Sequence, residues 1–209
     1  MLCETMQGQN QNQKEQACYV RFFNGAPGLD RADIFINGEL VAQDLRHGAF
    51  SAYSKAKPGA YRLDVKVGGE GSDVVFTELM SFMEDVAYTI AMTGDAQHLS
   101  LAVLPLDLRK DVRLPNMRFA NVMPYDTVLD IDINGHRAVA GLMYKEISDN
   151  IEFVPQNHYI TVYDADSQRI LEDGFTIEAG KNYLGIIAGS MNETENPPVL
   201  FVTTDMPVM

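Results

Sequence analysis

The sequence predicts an all-β chain: two tandem antiparallel β-sandwich domains related by an internal repeat. Three observations predict it. Sliding the chain by 97 residues lays residues 20–58 over 117–155 without a gap. Short apolar, β-branched or aromatic runs alternate with Gly, Pro, Asn and Asp throughout, as all-β folds require. No amphipathic run is long enough for a substantial helix.

The matched positions are informative ones. Arg21-Phe22-x-Asn24 meets Arg118-Phe119-x-Asn121, and Pro27 meets Pro124. Asp33-Ile34-x-Ile36-Asn37-Gly38 meets Asp130-Ile131-x-Ile133-Asn134-Gly135, Leu45 meets Leu142, and Pro58 meets Pro155. After a two-residue deletion the register resumes, with residues 88–94 over 183–189. The charged stretch 106–112 marks the boundary. The chain therefore divides into a polar arm over 1–17, one repeat over 18–107 and a second over 108–209.

In the first repeat the strands are expected in the following order. Residues 18–23 form an aromatic and β-branched run, and 32–37 alternate isoleucine with polar residues as a half-buried strand does. Residues 39–42 follow after Asn37-Gly38, the dipeptide that best tolerates positive φ at both centres of a type I′ hairpin turn. Next come 61–67 after Pro58-Gly59, then 74–80, 87–92 and 99–104. The second repeat offers the same series, with Asn134-Gly135 as its turn and a last strand ending at 203. Asn37, Gly38, Asn134 and Gly135 are thus structural turn residues with positive φ. About seven strands per repeat bury their apolar faces best as two packed layers.

Composition narrows the partners. With 46% hydrophobic and 22% charged residues the chain has the material for packed cores. Its formal net charge of -13, spread evenly over the two repeats, repels phosphate backbones and anionic lipid, so no nucleic acid is expected as a partner. No stretch approaches the ~18 apolar residues of a membrane-spanning helix, and no membrane insertion is expected. Residues 1–17 lack the cationic start and apolar core of a signal peptide. A cytoplasmic or a spore- or cell-surface location is expected accordingly.

Each candidate catalytic, metal or cofactor motif lacks an essential residue or spacing. Asp130-x-Asp132-x-Asn134-Gly135 opens like a calcium loop, but its twelfth position is Gly141 in place of a bidentate Glu. Residues 174–182 miss the phosphate-loop spacing by one and carry Asn182 where Ser or Thr is needed. The glycine-rich 67–72 has no lysine and reads as a turn. No G-x-S-x-G elbow is present, and His47 and His136 align with Tyr144 and Glu39 in the other repeat. The sequon at Asn192 matters only in a secretory pathway. No catalytic, cofactor-binding or metal residue is assigned, and no cofactor is expected.

The two cysteines, Cys3 and Cys18, sit at the N-terminal edge, which leaves both cores free of thiols in this reading. The Gln/Asn-rich arm carrying Cys3, beside a first strand beginning at Cys18, is expected either to form an intermolecular disulfide in an oxidising setting or to hold two inert thiols.

The run RFxNxxP, then ADIFINGELVAQDL, then Pro58-Gly59-Ala60-Tyr61, then Ala179-Gly180-Lys181-Asn182-Tyr183 resembles the bacterial repeat domain catalogued as domain of unknown function 4397. The resemblance extends over residues 18–205 in two copies. It implies immunoglobulin-like sandwiches, often found on secreted or cell-surface bacterial proteins, with no established activity.

A non-enzymatic structural or assembly module is the function expected first, self-associating as a homo-oligomer or binding another envelope or spore protein. The alternative is a glycan- or peptide-binding module using the loops 25–31 and 122–128. An enzyme is the third reading, to be revived by perturbed acidic residues in a deep pocket.

Overall fold

The structure is a computed structural model describing residues 16–67, 73–95, 98–108, 114–125, 127–191 and 194–205. Among the described residues there is no helix, and all strands fall into four-stranded sheets. The first half contains β1 (Cys18–Asn24), β2 (Arg31–Ile36), β3 (Glu39–Arg46), β4 (Ser54–Ala56), β5 (Gly59–Lys66), β6 (Val74–Phe82), β7 (Val86–Gly94) and β8 (Leu99–Asp107). Its sheets run β4-β1-β7-β8 and β3-β2-β5-β6.

The second half contains β9 (Asn116–Asn121), β10 (Val128–Ile133), β11 (His136–Met143), β12 (Ile151–Glu152), β13 (Asn157–Tyr163), β14 (Arg169–Thr176), β15 (Asn182–Ala188) and β16 (Val199–Thr204). Its sheets run β12-β9-β15-β16 and β11-β10-β13-β14, the same order strand for strand. Each half is therefore a β-sandwich-like unit with its own core. Val20, Phe22, Ile34, Leu63, Ile90 and Met92 fill the first; Met117, Phe119, Ile131, Ile160 and Ile187 fill the second.

The residues matched at a spacing of 97 perform matched tasks. Asn24 and Asn121, both 0% exposed, close the turn that leaves the first strand of each half. The Asn24 amide donates to the carbonyls of Leu29 and Leu45 at 2.8 and 3.1 Å, and that of Asn121 to Thr127 and Leu142 at 3.0 and 3.1 Å. Without these bonds a buried amide would carry the full cost of its lost hydration. The turn residues have φ of 49° at Asn37, 84° at Gly38, 50° at Asn134 and 80° at Gly135. Each turn Asn also accepts a backbone amide of the neighbouring strand, β5 or β13: that of Arg62 at 2.9 Å and that of Tyr159 at 3.0 Å.

Strand β3 extends beyond the expected 39–42 because a bulge carries it on: Asp44 has φ 50° and donates its N–H to the Asp33 carboxylate at 2.7 Å. Gly141 (φ 68°) does the same on Asp130 at 2.8 Å. The Asp130 carboxylate, first of the residues that resemble a calcium loop, is thus a bulge acceptor, and Arg137 pairs with both Asp130 and Asp132.

Three expectations need correction. The sheets are not purely antiparallel, since β1 runs parallel to β7 and β9 to β15. A parallel neighbour requires a long crossover, and here the chain crosses to the other sheet and back before returning beside its first strand. The short strands β4 and β12 were not expected; Ser54-Lys55-Ala56 has no apolar alternation and is extended through its pairing with β1.

The third correction concerns Cys18, which is 0% exposed inside the first core, its thiol 3.4 Å from the Ala56 carbonyl. The core is not free of thiols. Burial raises the Cys18 pKa and disfavours the thiolate, and an intermolecular disulfide would require β1 to leave β4. Cys3 and most of the arm lie outside the described residues, as do the linker residues 109–113, the turn 68–72 and Asn192 of the sequon.

Candidate functional site

All nine residues of β7 are buried, although a sandwich covers only one face of a strand. The other face is covered by the second half. Phe23, Ala91, Ala102 and Leu104 meet Ala120, Val122, Leu184, Ile186 and Ala188 in a third apolar cluster, and the Phe201 ring lies 5.2 Å from that of Phe23. Small side chains let the two sheets approach closely. A Cβ on Gly25 would come within 2.6 Å of the Phe23 ring and 3.3 Å of the Ala188 methyl.

This seam has an approximate two-fold character. Pro105 and Thr204 are equivalent, being the register partners of Tyr88 and Tyr183. Arg21 Nη1 donates to the Thr204 carbonyl at 2.8 Å, and the repeat-equivalent Arg118 Nη1 donates to the Pro105 carbonyl at 2.5 Å. Thr93 Oγ1 donates to the Val122 carbonyl, and the equivalents of that pair, Ala188 and Gly25, meet across the seam as apolar atoms. Each half thus presents the same patch to the other, as subunits of a two-fold dimer do.

The symmetry fails at one charge. Asp205 follows Thr204, but its equivalent in the first half is Leu106. Both guanidiniums share this single carboxylate: Arg21 Nη2 at 3.4 Å, Arg118 Nε at 3.1 Å and Arg118 Nη2 at 2.5 Å. Arg21, Arg118 and Asp205 are 4%, 8% and 2% exposed, so a net positive charge is held between the halves. Burial lowers the Arg21 pKa, with Tyr53 and Asp205 opposing the shift.

The symmetry fails again in the rings. Arg21 is covered by Tyr53, its guanidinium 4.4 Å from the ring centre, and by Phe50 at 5.1 Å, and its Nε donates to Thr89 Oγ1 at 2.8 Å. At Arg118 the equivalents of Phe50 and Tyr53 are Ile147 and Asn150. No ring covers that guanidinium from those positions. The surface there opens into a groove of about 390 Å³ with Pro105, Leu106, Arg118, Ile147, Ser148 and Asn150 in its wall, and Asp107 and Asp149 beside them.

The histidines are dispersed. His47 lies at the seam edge-on to Phe201, its Nε2 without a hydrogen bond, and burial lowers its pKa against the attraction of Asp30. His158 is buried and bonds Asn134 and the Val154 carbonyl, while His136 starts β11 exposed. In the loops 25–31 and 122–128, Gly25, Ala26, Pro27, Leu29, Val122, Met123 and Pro124 are buried, while Gly28, Asp30, Arg31 and Tyr125 are exposed. Sequence reasoning treated Arg21 and Arg118 as repeat markers and passed over Asp205. The available signal was a charged residue placed twice in a strand otherwise rich in aromatic and aliphatic residues.

A family model described as a domain of unknown function, DUF4397, matches residues 18–112, which contain all eight strands of the first half. No curated protein matches the chain.

Proposed function

We propose that the chain is a non-enzymatic structural or assembly module, self-associating or binding another protein, with the two sandwiches joined as one block. A bacterial envelope or spore surface is the setting that the resemblance to the repeat family suggests. The immunoglobulin-like description of each half is supported by Tyr88 and Tyr183, whose hydroxyls accept the amides of Met83 and Glu178 five residues upstream, as in a tyrosine corner.

One observation carries the assembly reading: the edge strand β6. It is nine residues long, has no proline, carries Glu78 as its only charge, and exposes Val75 at 52% and Leu79 at 80%. Long apolar edges are ready templates for pairing with another strand, and folded proteins usually protect them with charge or proline. The equivalent edge, β14, carries Glu172 and Asp173, and its Gly174 stands where β6 has Leu79. On a chain of charge -13, β6 is an edge at which two copies approach with little local repulsion.

Sedimentation equilibrium tests this reading. The native chain is expected to gain mass with concentration, and Leu79→Lys to remain monomeric with unchanged melting. Monomers of both at all concentrations, or equal association of both, would contradict it.

A further inference from the structure

We infer that the groove beside Arg118 is a docking site for one aromatic side chain, tyrosine or phenylalanine, presented by a partner protein segment that also carries lysine or arginine next to the ring. The inference rests on the reading of the chain as a protein-binding module and adds the chemistry of its partner. The other half of the molecule shows what fits. At the equivalent place Tyr53 lies 4.4 Å from the Arg21 guanidinium and Phe50 lies 5.1 Å away, and both are supplied by the chain itself. At Arg118 the chain supplies Ile147 and Asn150 instead, and a groove of about 390 Å³ stands where the rings would be.

The floor of the groove is prepared for such a ring. Arg118 is held by Asp205 and by the Pro105 carbonyl, so its plane is fixed before any partner arrives and little ordering remains to be done on binding. A guanidinium flanked by proline, leucine and isoleucine side chains favours a flat π-face over an aliphatic chain, because the ring adds cation–π attraction to apolar contact. The rim sets the charge of the flanking residues. Arg21 and Arg118 share Asp205, and the one positive charge left over is met by the exposed Asp149 beside the groove, on a chain already at -13. A cationic neighbour to the ring is attracted there and an anionic one repelled.

The test uses the full chain and two blocked peptides, acetyl-Lys-Tyr-Lys-amide and acetyl-Lys-Ala-Lys-amide, followed by amide chemical shifts. The tyrosine peptide is expected to produce saturable shifts at Ile147, Ser148 and Asn150, and the alanine peptide to bind about tenfold more weakly. Asn150→Tyr, which supplies the ring from within as Tyr53 does for Arg21, is expected to abolish those shifts. Tyr53→Asn is expected to create a second set of shifts around Ser51. Equal binding of the two peptides, shifts confined elsewhere, or unchanged binding to Asn150→Tyr would overturn the assignment, as would no response of the native chain. Because Val75 and Leu79 of β6 are not among the residues that line the groove, and association is read by mass, a failure here leaves the self-association measurement with Leu79→Lys separately decidable.

Discussion

The two halves have the same strand order, the same Asn-Gly turns and the same buried asparagines, yet they differ where the frame meets its surroundings. Leu79 in the first half corresponds to Gly174 in the second, Tyr53 to Asn150, and Leu106 to Asp205. The shared residues are those whose loss would leave a buried polar group unpaired or a turn strained. The unshared ones sit at an edge, a groove and the seam. The frame is thus set twice by one pattern, and the features that distinguish the halves carry the functional proposals.

The largest effect should come from the seam. Asp205→Ala leaves two buried guanidiniums facing each other without their carboxylate, and is expected to cost about 3–5 kcal/mol, read by denaturant unfolding. Replacing the cluster as a whole, with Arg21→Met, Arg118→Met and Asp205→Leu together, should recover much of that loss. A single Asp205→Ala variant with native stability would mean that the halves do not depend on one another as described.

A smaller effect sharpens the equivalence of the frames. A Cβ at Gly38 or Gly135 meets no atom within 4 Å, so a valine there is penalised by its positive φ alone. Gly38→Val and Gly135→Val should each cost about 1–2 kcal/mol, and by similar amounts, in thermal melts. Clearly unequal losses would show that the two turns are not equivalent, and unchanged melts of both would remove the turn assignment.

The smallest effect is a pH dependence at His47, whose place in the second half is taken by Tyr144. Burial lowers the His47 pKa below the ordinary imidazole value of about 6.5, so the unfolded chain takes up this proton first as pH falls. Its contribution is complete above about pH 6.5 and is lost as pH falls through the folded value. The difference in melting temperature between the native chain and His47→Gln should therefore shrink in the native chain's disfavour on acidification. A constant difference would show that His47 does not titrate with folding.

Much of the frame was legible in the sequence because turns and bulges depend on local chemistry. Asn37-Gly38 and Asn134-Gly135 specify a hairpin within two residues, and alternating isoleucines specify which face of β2 and β10 is buried. The parallel pairing of β1 with β7 was not legible, since it joins segments separated by the whole opposite sheet. Nor was β4, whose extended state comes from its partner. Cys18 was taken for an edge residue because nothing local reveals that β1 lies second in its sheet, covered on both sides. The site itself was the least legible part. Arg21, Arg118 and Asp205 come from three distant segments and meet only after two sandwiches have formed and packed.

Contact with other copies is proposed where the first half departs from the second, along β6. Amide hydrogen exchange of the native chain, followed as protein concentration is raised, tests this. The amides of Val74–Phe82 that point away from β5 should gain protection with concentration while those of Arg169–Thr176 stay unchanged. Protection that rises on the charged edge of the second half, or on neither edge, would contradict it.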